Sequence, residues 1–240
     1  MKQPILIFLV SLFALTLFPE VALGQSREEM LRAIRTTGAS IESLECEFTQ
    51  TKTVSMLEQK MVSEGKLYFR KPSAVRWEYL TPVHNFFIMN GEDLLAGNDA
   101  SAKHSSLKKN RSARMISSLI VGSLSGESLE DSRNFKAELS LEAGEWVAVL
   151  TPLRRDLSQI CSSIVLRFNP KTALANSITL NEASGDCTHI VFRNMKMNLP
   201  LPEGVFDAAA EYVYNDIILQ NEVSRQFILG DAVPQDGGGI

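Results

Sequence analysis

The residues best equipped for chemistry in this chain are three histidines, three cysteines and a scatter of carboxylates, so their spacing comes first. His84, His104 and His189 form no pair at metal-ligand spacing, and no Asp–His–Ser order lies near them to activate a nucleophile. Cys46, Cys161 and Cys187 contain no CxxC step, which argues against a zinc site. Glu47 and Glu78 would make a general acid–base pair only if they converged, yet each falls on the polar side of an alternating stretch. The chain carries no GxSxG, no phosphate-binding loop and no dinucleotide fingerprint. The expectation is a protein without catalytic residues, metal or cofactor: a binder, not an enzyme.

If no side chain does chemistry, the apolar pattern must carry the function. Ser26 with Glu29 three residues on reads as a capping box, opening a helix with Met30, Leu31 and Ile34 on one stripe and Gly38 near its end. Strict alternation follows. Leu44, Cys46 and Phe48 share one face of a first strand, Leu67 and Phe69 one face of a second, and Val75, Trp77 and Tyr79 one face of a third. "NFFIM" makes a further strand and Asn90-Gly91 a turn into a shorter one. From Ala100 to Asn110 the chain turns polar and basic, then Met115, Ile116, Leu119 and Ile120 share a helical face, with a shorter helix expected at "GESLEDS". Strands return at "NFKAELSLE", "EWVAVLTP", "SQICSSIVLRFNP", "ALANSITLNEA" and "CTHIVFRNMKM".

The fold class is therefore α+β: a large, twisted antiparallel sheet of ten or so strands with helices segregated to one side. A twisted sheet of that size curls, and helices laid over its concave face would lid a mouth suited to an apolar ligand. Hairpin counting places Cys161 and Cys187 opposite Asn181–Glu182 on a shared middle strand, roughly 9–10 Å apart and beyond disulfide reach.

The termini and charge set the address. Lys2 is followed by an apolar run from Ile5 to Phe18, shorter than the roughly 20 residues of a membrane span, and then by "VALGQ". This fits a cleavable secretory signal over 1–24, a single domain over 25–231 and a flexible tail over 232–240. A net charge of -4 argues against a nucleic-acid footprint, which normally needs a basic face, and the expected state is a monomer.

With these elements placed, the order of motifs resembles the LolA family, the periplasmic carriers of outer-membrane lipoproteins. "EFTQ" at Glu47–Gln50 is similar to the family's Phe-x-Gln strand, and "LYFRKPSAVRWEY" at Leu67–Tyr79 to its strand–Arg-Pro–strand signature. "FFIMNGEDLL", "LSGESLEDSRNF", "WVAVLTP" and "ITLNEASGDCTHIVFRNMKMNLPLPEGVF" follow in family order. The resemblance runs from Ser43 to Phe206, and beyond it the sequence departs from the family's usual ending.

The resemblance implies a strongly curved antiparallel half-barrel of about 10–11 strands, with helices over a hydrophobic mouth that receives acyl chains. It implies that lipoproteins arrive from an inner-membrane lipoprotein-releasing transporter and leave to an outer-membrane receptor. The expected cavity residues are Phe48, Leu67, Phe69, Val75, Trp77, Tyr79, Phe87 and Met89 on the sheet. Met115, Ile116, Leu119 and Ile120 would face them from the lid. The family's Arg before the proline, which bonds lid backbone and is linked to release, is Lys71 here; Arg70 is the alternative latch. The competing readings are a periplasmic protein that binds or senses another lipid or glycolipid, and, third, a hydrolase with a noncontiguous site.

Overall fold

The computed structural model describes residues 26–56, 59–98, 101–106, 121–122 and 126–207. The expected signal segment, the tail, and the lid positions Met115, Ile116, Leu119 and Ile120 lie outside the described residues.

Helix α1 spans Arg27–Ser40, and its first turn is closed by the expected capping box. Glu29 N–H donates to Ser26 Oγ at 3.2 Å while Ser26 N–H donates to the Glu29 carboxylate at 2.9 Å, which satisfies two of the four orphan donors at the helix start. Eleven strands follow: β1 Ser43–Val54, β2 Gln59–Arg70, β3 Ala74–Thr81, β4 Asn85–Asn90, β5 Asp93–Asn98 and β6 Ala102–Ser106, then β7 Phe135–Glu142, β8 Glu145–Pro152, β9 Cys161–Phe168, β10 Ala175–Glu182 and β11 Cys187–Met197. A short helix α2, Arg155–Ser158, leads into β9.

All eleven strands join one antiparallel sheet in the order β6-β5-β4-β3-β2-β1-β11-β10-β9-β8-β7. Two meanders are thus zipped together where β1 meets β11, and the sheet stays open between β6 and β7. The connection from β6 to β7 has to pass from one edge of the sheet to the other, and Val121–Gly122 and Gly126–Asn134 are its described parts. Register shifts at Glu45/Glu47, Glu64/Gly65, Ala175/Ser177 and Asn181/Glu182 interrupt three of the ladders. Such bulges bend the bulged strand and raise its twist.

Two sequence expectations need correction. Ala102–Ser106, read as part of a polar connection, is edge strand β6, paired with β5 from Asp93↔Ser106 to Gly97↔Ala102. An edge strand needs only backbone pairing on one side, so a short polar segment serves, and it offers no hydrophobic alternation to read. The helix expected at "GESLEDS" is a single 3-10 turn, Glu127–Leu129.

One face of the sheet, the inner face, carries two large apolar clusters. The first joins Leu44, Phe48, Leu67, Phe69, Val75, Trp77, Phe87, Met89, Ile190 and Phe192 from β1 to β4 and β11. The second joins Trp146, Leu150, Ile164, Leu166 and Phe168 of β8 and β9 to Met30 and Ile34 of α1. Ile178 and Leu180 of β10 pack against both. A third cluster lies on the opposite, outer face: Tyr68, Ala74, Phe86, Ile88, Leu95 and Ala102, covered by Leu201, Val205 and Phe206 of the chain that follows β11.

Candidate functional site

The sheet positions named from sequence converge. Phe48, Leu67, Phe69, Val75, Trp77, Phe87 and Met89 share the first inner cluster, with Tyr79 packed against it. Register explains the convergence: Leu67 lies opposite Trp77, Trp77 opposite Phe87 and Val75 opposite Met89, and paired residues share a face. The aromatic rings form one continuous surface. The Phe48 and Trp77 centroids are 4.3 Å apart, Tyr79 meets Phe48 edge-on at 5.4 Å, Phe87 lies nearly parallel to Trp77 at 6.1 Å, and Phe192 meets Trp77 edge-on at 6.3 Å. A Cβ on Gly65 would stand 2.5 Å from the Phe48 ring and 2.0 Å from the Glu78 carbonyl oxygen. Glycine is therefore what lets Phe48 lie down across β2 towards the other rings.

From the central connection, Val121 packs on this same cluster. Gly122 beside it approaches Ser128 so closely that a Cβ would meet Ser128 Oγ at 2.3 Å.

Further along the strands the inner face changes character. Gln50 and Lys52 continue the inner row of Leu44, Cys46 and Phe48 on β1, and both are buried, at 4% and 2% exposure. Tyr79 Oη donates to Gln50 Oε1 at 3.0 Å. Lys52 Nζ donates to Glu182 Oε1 at 2.5 Å, Thr188 Oγ1 donates to the same oxygen at 3.3 Å, and Asp186 Oδ2 lies 3.8 Å from the ammonium. Burial pushes Glu182 above the usual carboxylate range, against the pull of Lys52 and Thr188. Sequence reading stopped the β1 row at Phe48. Carrying its period of two further would have placed Gln50 and Lys52 on the inner face, but nothing local signals the strand-crossing partners Glu182 and Thr188.

The latch candidates part company. Lys71 Nζ donates to the Ala39 carbonyl at 2.6 Å and to Glu42 Oε1 at 2.8 Å. Asn198 Nδ2 serves the next carbonyl, Ser40, at 2.9 Å. Together they satisfy the last turn of α1, where carbonyls lack helical partners and a cation is favoured. Arg70 lies over the Phe206 ring at 4.7 Å on the outer face, away from α1.

Among the described residues, the remaining titratable groups do not assemble a reaction centre. Glu78, expected on a solvated face, is on the outer face but half-enclosed: Arg76 binds it through Nη2 at 2.8 Å and Nε at 3.2 Å, and His84 Nε2 approaches at 2.9 Å. Burial would raise Glu78, but the hydrogen bonds and charges of Arg76 and His84 hold it below the usual carboxylate range. Arg76 also donates to the Val205 carbonyl at 3.4 Å, tying the cluster to the outer segment. Glu47 is exposed and accepts from Asn194 at 2.7 Å, His189 pairs with Thr179 at 2.8 Å, and His104 stands exposed on β6.

Cys161 lies opposite Glu182 and Cys187 opposite Asn181, so β10 separates the two, and all three cysteines are free thiols. Burial pushes Cys46 up to about 12 and Cys161 up to about 11, leaving both protonated and unreactive at neutral pH. Among the described residues, no group of three or more His, Cys, Asp or Glu side chains could hold a metal ion.

An open antiparallel sheet thus carries a continuous aromatic wall, and comparison with known proteins shows the family it belongs to. The family model described as outer membrane lipoprotein carrier protein LolA matches residues 39–209, and the chain belongs to that family. An outer-membrane lipoprotein carrier protein of Pseudoalteromonas translucida (strain TAC 125) is 24% identical over 186 residues, covering 73% of this chain and 81% of that protein. Among solved structures, an uncharacterized conserved protein from Thermus thermophilus superposes with a TM-score of 0.50 at 11% identity, covering 78% of this chain and 96% of that one. A LolA superfamily protein from Nitrosomonas europaea gives 0.40 at 11% identity, covering 74% and 97%. At 11% identity the first of these likenesses speaks to fold alone, and the second carries no argument. No helix among the described residues is long and apolar enough to cross a membrane.

Proposed function

We propose that this protein is a periplasmic carrier. It buries the acyl chains of lipoproteins against the aromatic wall of β1–β4 and β11 and shuttles them from the inner to the outer membrane. The observation that carries this reading is the continuous ring surface of Phe48, Trp77, Phe87 and Phe192, held within a chain of the lipoprotein-carrier family. Each methylene moved from water to such a wall contributes about 0.8 kcal/mol, enough for a few chains to hold their cargo across an aqueous gap.

In this reading the sheet is a half-barrel. The connection between its edges lays helices over the mouth, with Met115, Ile116, Leu119 and Ile120 facing the acyl chains next to Val121. A secretory signal over 1–24 exports the chain, cargo is taken from an inner-membrane transporter, and an outer-membrane receptor receives it. Lys71 latches the lid side by holding the α1 carbonyl of Ala39; as a point charge it makes a looser clamp than the planar fork of an arginine.

The test is uptake of a fluorescent fatty-acyl probe by folded wild type and Trp77→Leu. The expected result is at least tenfold weaker uptake by the variant, as ring surface and packing are lost together. Equal uptake by the two would overturn the assignment. Mass spectrometry of envelope-purified protein identifies the cargo: acylated peptide supports the carrier, whereas free lipid or glycolipid alone would replace it with a lipid-binding role.

A further inference from the structure

The inner wall has a direction. Along β1 its inward side chains run Leu44, Cys46, Phe48, Gln50, Lys52, apolar at the α1 end and polar at the other, over eight residues or roughly 27 Å. The polarity is shared across strands. Tyr79 of β3 joins Gln50, and Thr188 of β11 and Glu182 of β10 join Lys52, so one polar band crosses the floor of the sheet. The opposite end of the same face is wholly apolar, where Val75 and Met89 lie opposite one another beside Leu44.

Within the band one atom is left over. Glu182 is 3% exposed and uses Oε1 for both Lys52 and Thr188, while its buried Oε2 accepts no hydrogen bond among the described residues. A buried carboxylate oxygen without a donor costs far more than a satisfied one, and apolar residues in place of a buried ion pair are often neutral or stabilising. A wall that served only to bury hydrocarbon would do better with Leu or Met at both positions. Glu182 sits on the inner face in the row of Ile178 and Leu180, the two residues that touch both inner clusters, so its carboxylate is set at the end of an apolar surface.

We propose that this band is the headgroup end of the acyl site: Glu182 Oε2 accepts a hydrogen bond from an N–H or O–H donor next to the carbonyl of an acylated ligand, and the chain lies along the rings towards Val75 and Met89. This deepens the carrier reading and rests on it. An all-apolar cavity would hold an acyl chain in either direction, whereas one buried acceptor at one end makes a single direction cheaper. The ligand class it selects is an acyl chain with a donor at its head, as in an amide or a glycerol monoester, over a methyl ester.

Two palmitoyl amide probes test the direction, one carrying a photoreactive diazirine in the headgroup and the other at the methyl end. The expected result is that the headgroup probe labels peptides containing Lys52 and Glu182, and the tail probe those containing Val75 and Met89. The reversed pattern, or the same pattern from both probes, overturns the proposal while leaving acyl binding in place. Labelling of no inner-face peptide by either overturns the carrier reading together with it. The second measurement compares the Kd of palmitamide, monopalmitoylglycerol and methyl palmitate in wild type and in the double variant Lys52→Met/Glu182→Leu. Wild type should favour the two donor-bearing probes over the ester by about tenfold, and the double variant should bind all three alike. An amide preference without a glycerol preference assigns the N–H as the donor, and the converse assigns the hydroxyl. A preference that survives in the double variant, or none in wild type, sinks the role of Glu182.

Discussion

The two halves of the inner face are built from similar antiparallel strands but are filled in different ways. In the β8–β9 half, Trp146, Leu150, Ile164 and Leu166 pack against Met30 and Ile34 of α1, so the chain's own helix completes that core. Gly126 seals the contact, since a Cβ there would meet Ile34 at 2.7 Å. In the β1–β4 half, the wall is a tier of rings around Trp77, with Val121 packed on it from the central connection and a polar band at one end. The first arrangement is a framework; in the proposed reading the second receives the ligand. Burial alone does not separate them, because Trp77 and Trp146 are both fully buried, at 0% and 2% exposure. What separates them is the kind of surface: mixed aliphatic packing under a helix, against stacked aromatics ending in buried charge.

That contrast can be broken by mutation. The largest effect should come from Trp146→Ala, which empties the framework half and should lower stability by about 3–5 kcal/mol in urea unfolding. Acyl-probe uptake per folded molecule should stay near wild type. If uptake falls as far as in Trp77→Leu, the two halves are one functional unit and the distinction fails.

A smaller effect is expected from Lys71→Leu, which removes the bond to Ala39 in the last turn of α1 and the bond to Glu42 just beyond it. Lys71 is about a third exposed, so the stability loss should be about 1 kcal/mol or less after solvent screening. Its signature should be kinetic: faster release of a bound acyl probe at unchanged loading, read by stopped-flow transfer to vesicles. Equal release rates would leave Lys71 as a helix cap without a latching role.

The smallest effect concerns the outer face. Glu78 has a folded pKa below its unfolded one, so its contribution is present above the ordinary glutamate value of about 4.3 and is lost as pH falls through the lower folded value. Wild type should therefore be slightly more stable than Glu78→Gln at neutral pH, with the difference closing in acid. Chemical denaturation at stepped pH measures it, and a gap that persists at the acid end would contradict the sign. Probe uptake should not follow this titration, because the Arg76–Glu78–His84 cluster lies on the other side of the sheet.

Much of the inner wall was legible as a period of two. Leu67, Phe69, Val75, Trp77 and Tyr79 could be placed on one face because each alternates with a more polar residue on the other. Arg70 and Glu78 were harder, because the outer face of β2–β5 is not fully wet. The segment Leu201–Phe206 folds back over Phe86 and Ile88, draws Arg70 onto Phe206 and encloses Glu78, and a contact that distant leaves no local trace. Strand β6 escaped notice for the opposite reason: its pairing is all backbone, and five small or polar residues satisfy an edge.

The inner faces of the strands, the α1 capping box, the placing of Cys161 and Cys187 on either side of β10 and the family could all be read from the residues. Each of these is written in local spacing, where alternation, caps and turn residues act within a few positions. What meets across strands is set by the assembled sheet. It brought Lys52 to Glu182, 130 residues away in the chain, and left one carboxylate oxygen without a donor among the described residues. Partners at that separation are set by sheet register and by the zipping of β11 onto β1, and register is a property of the whole ladder.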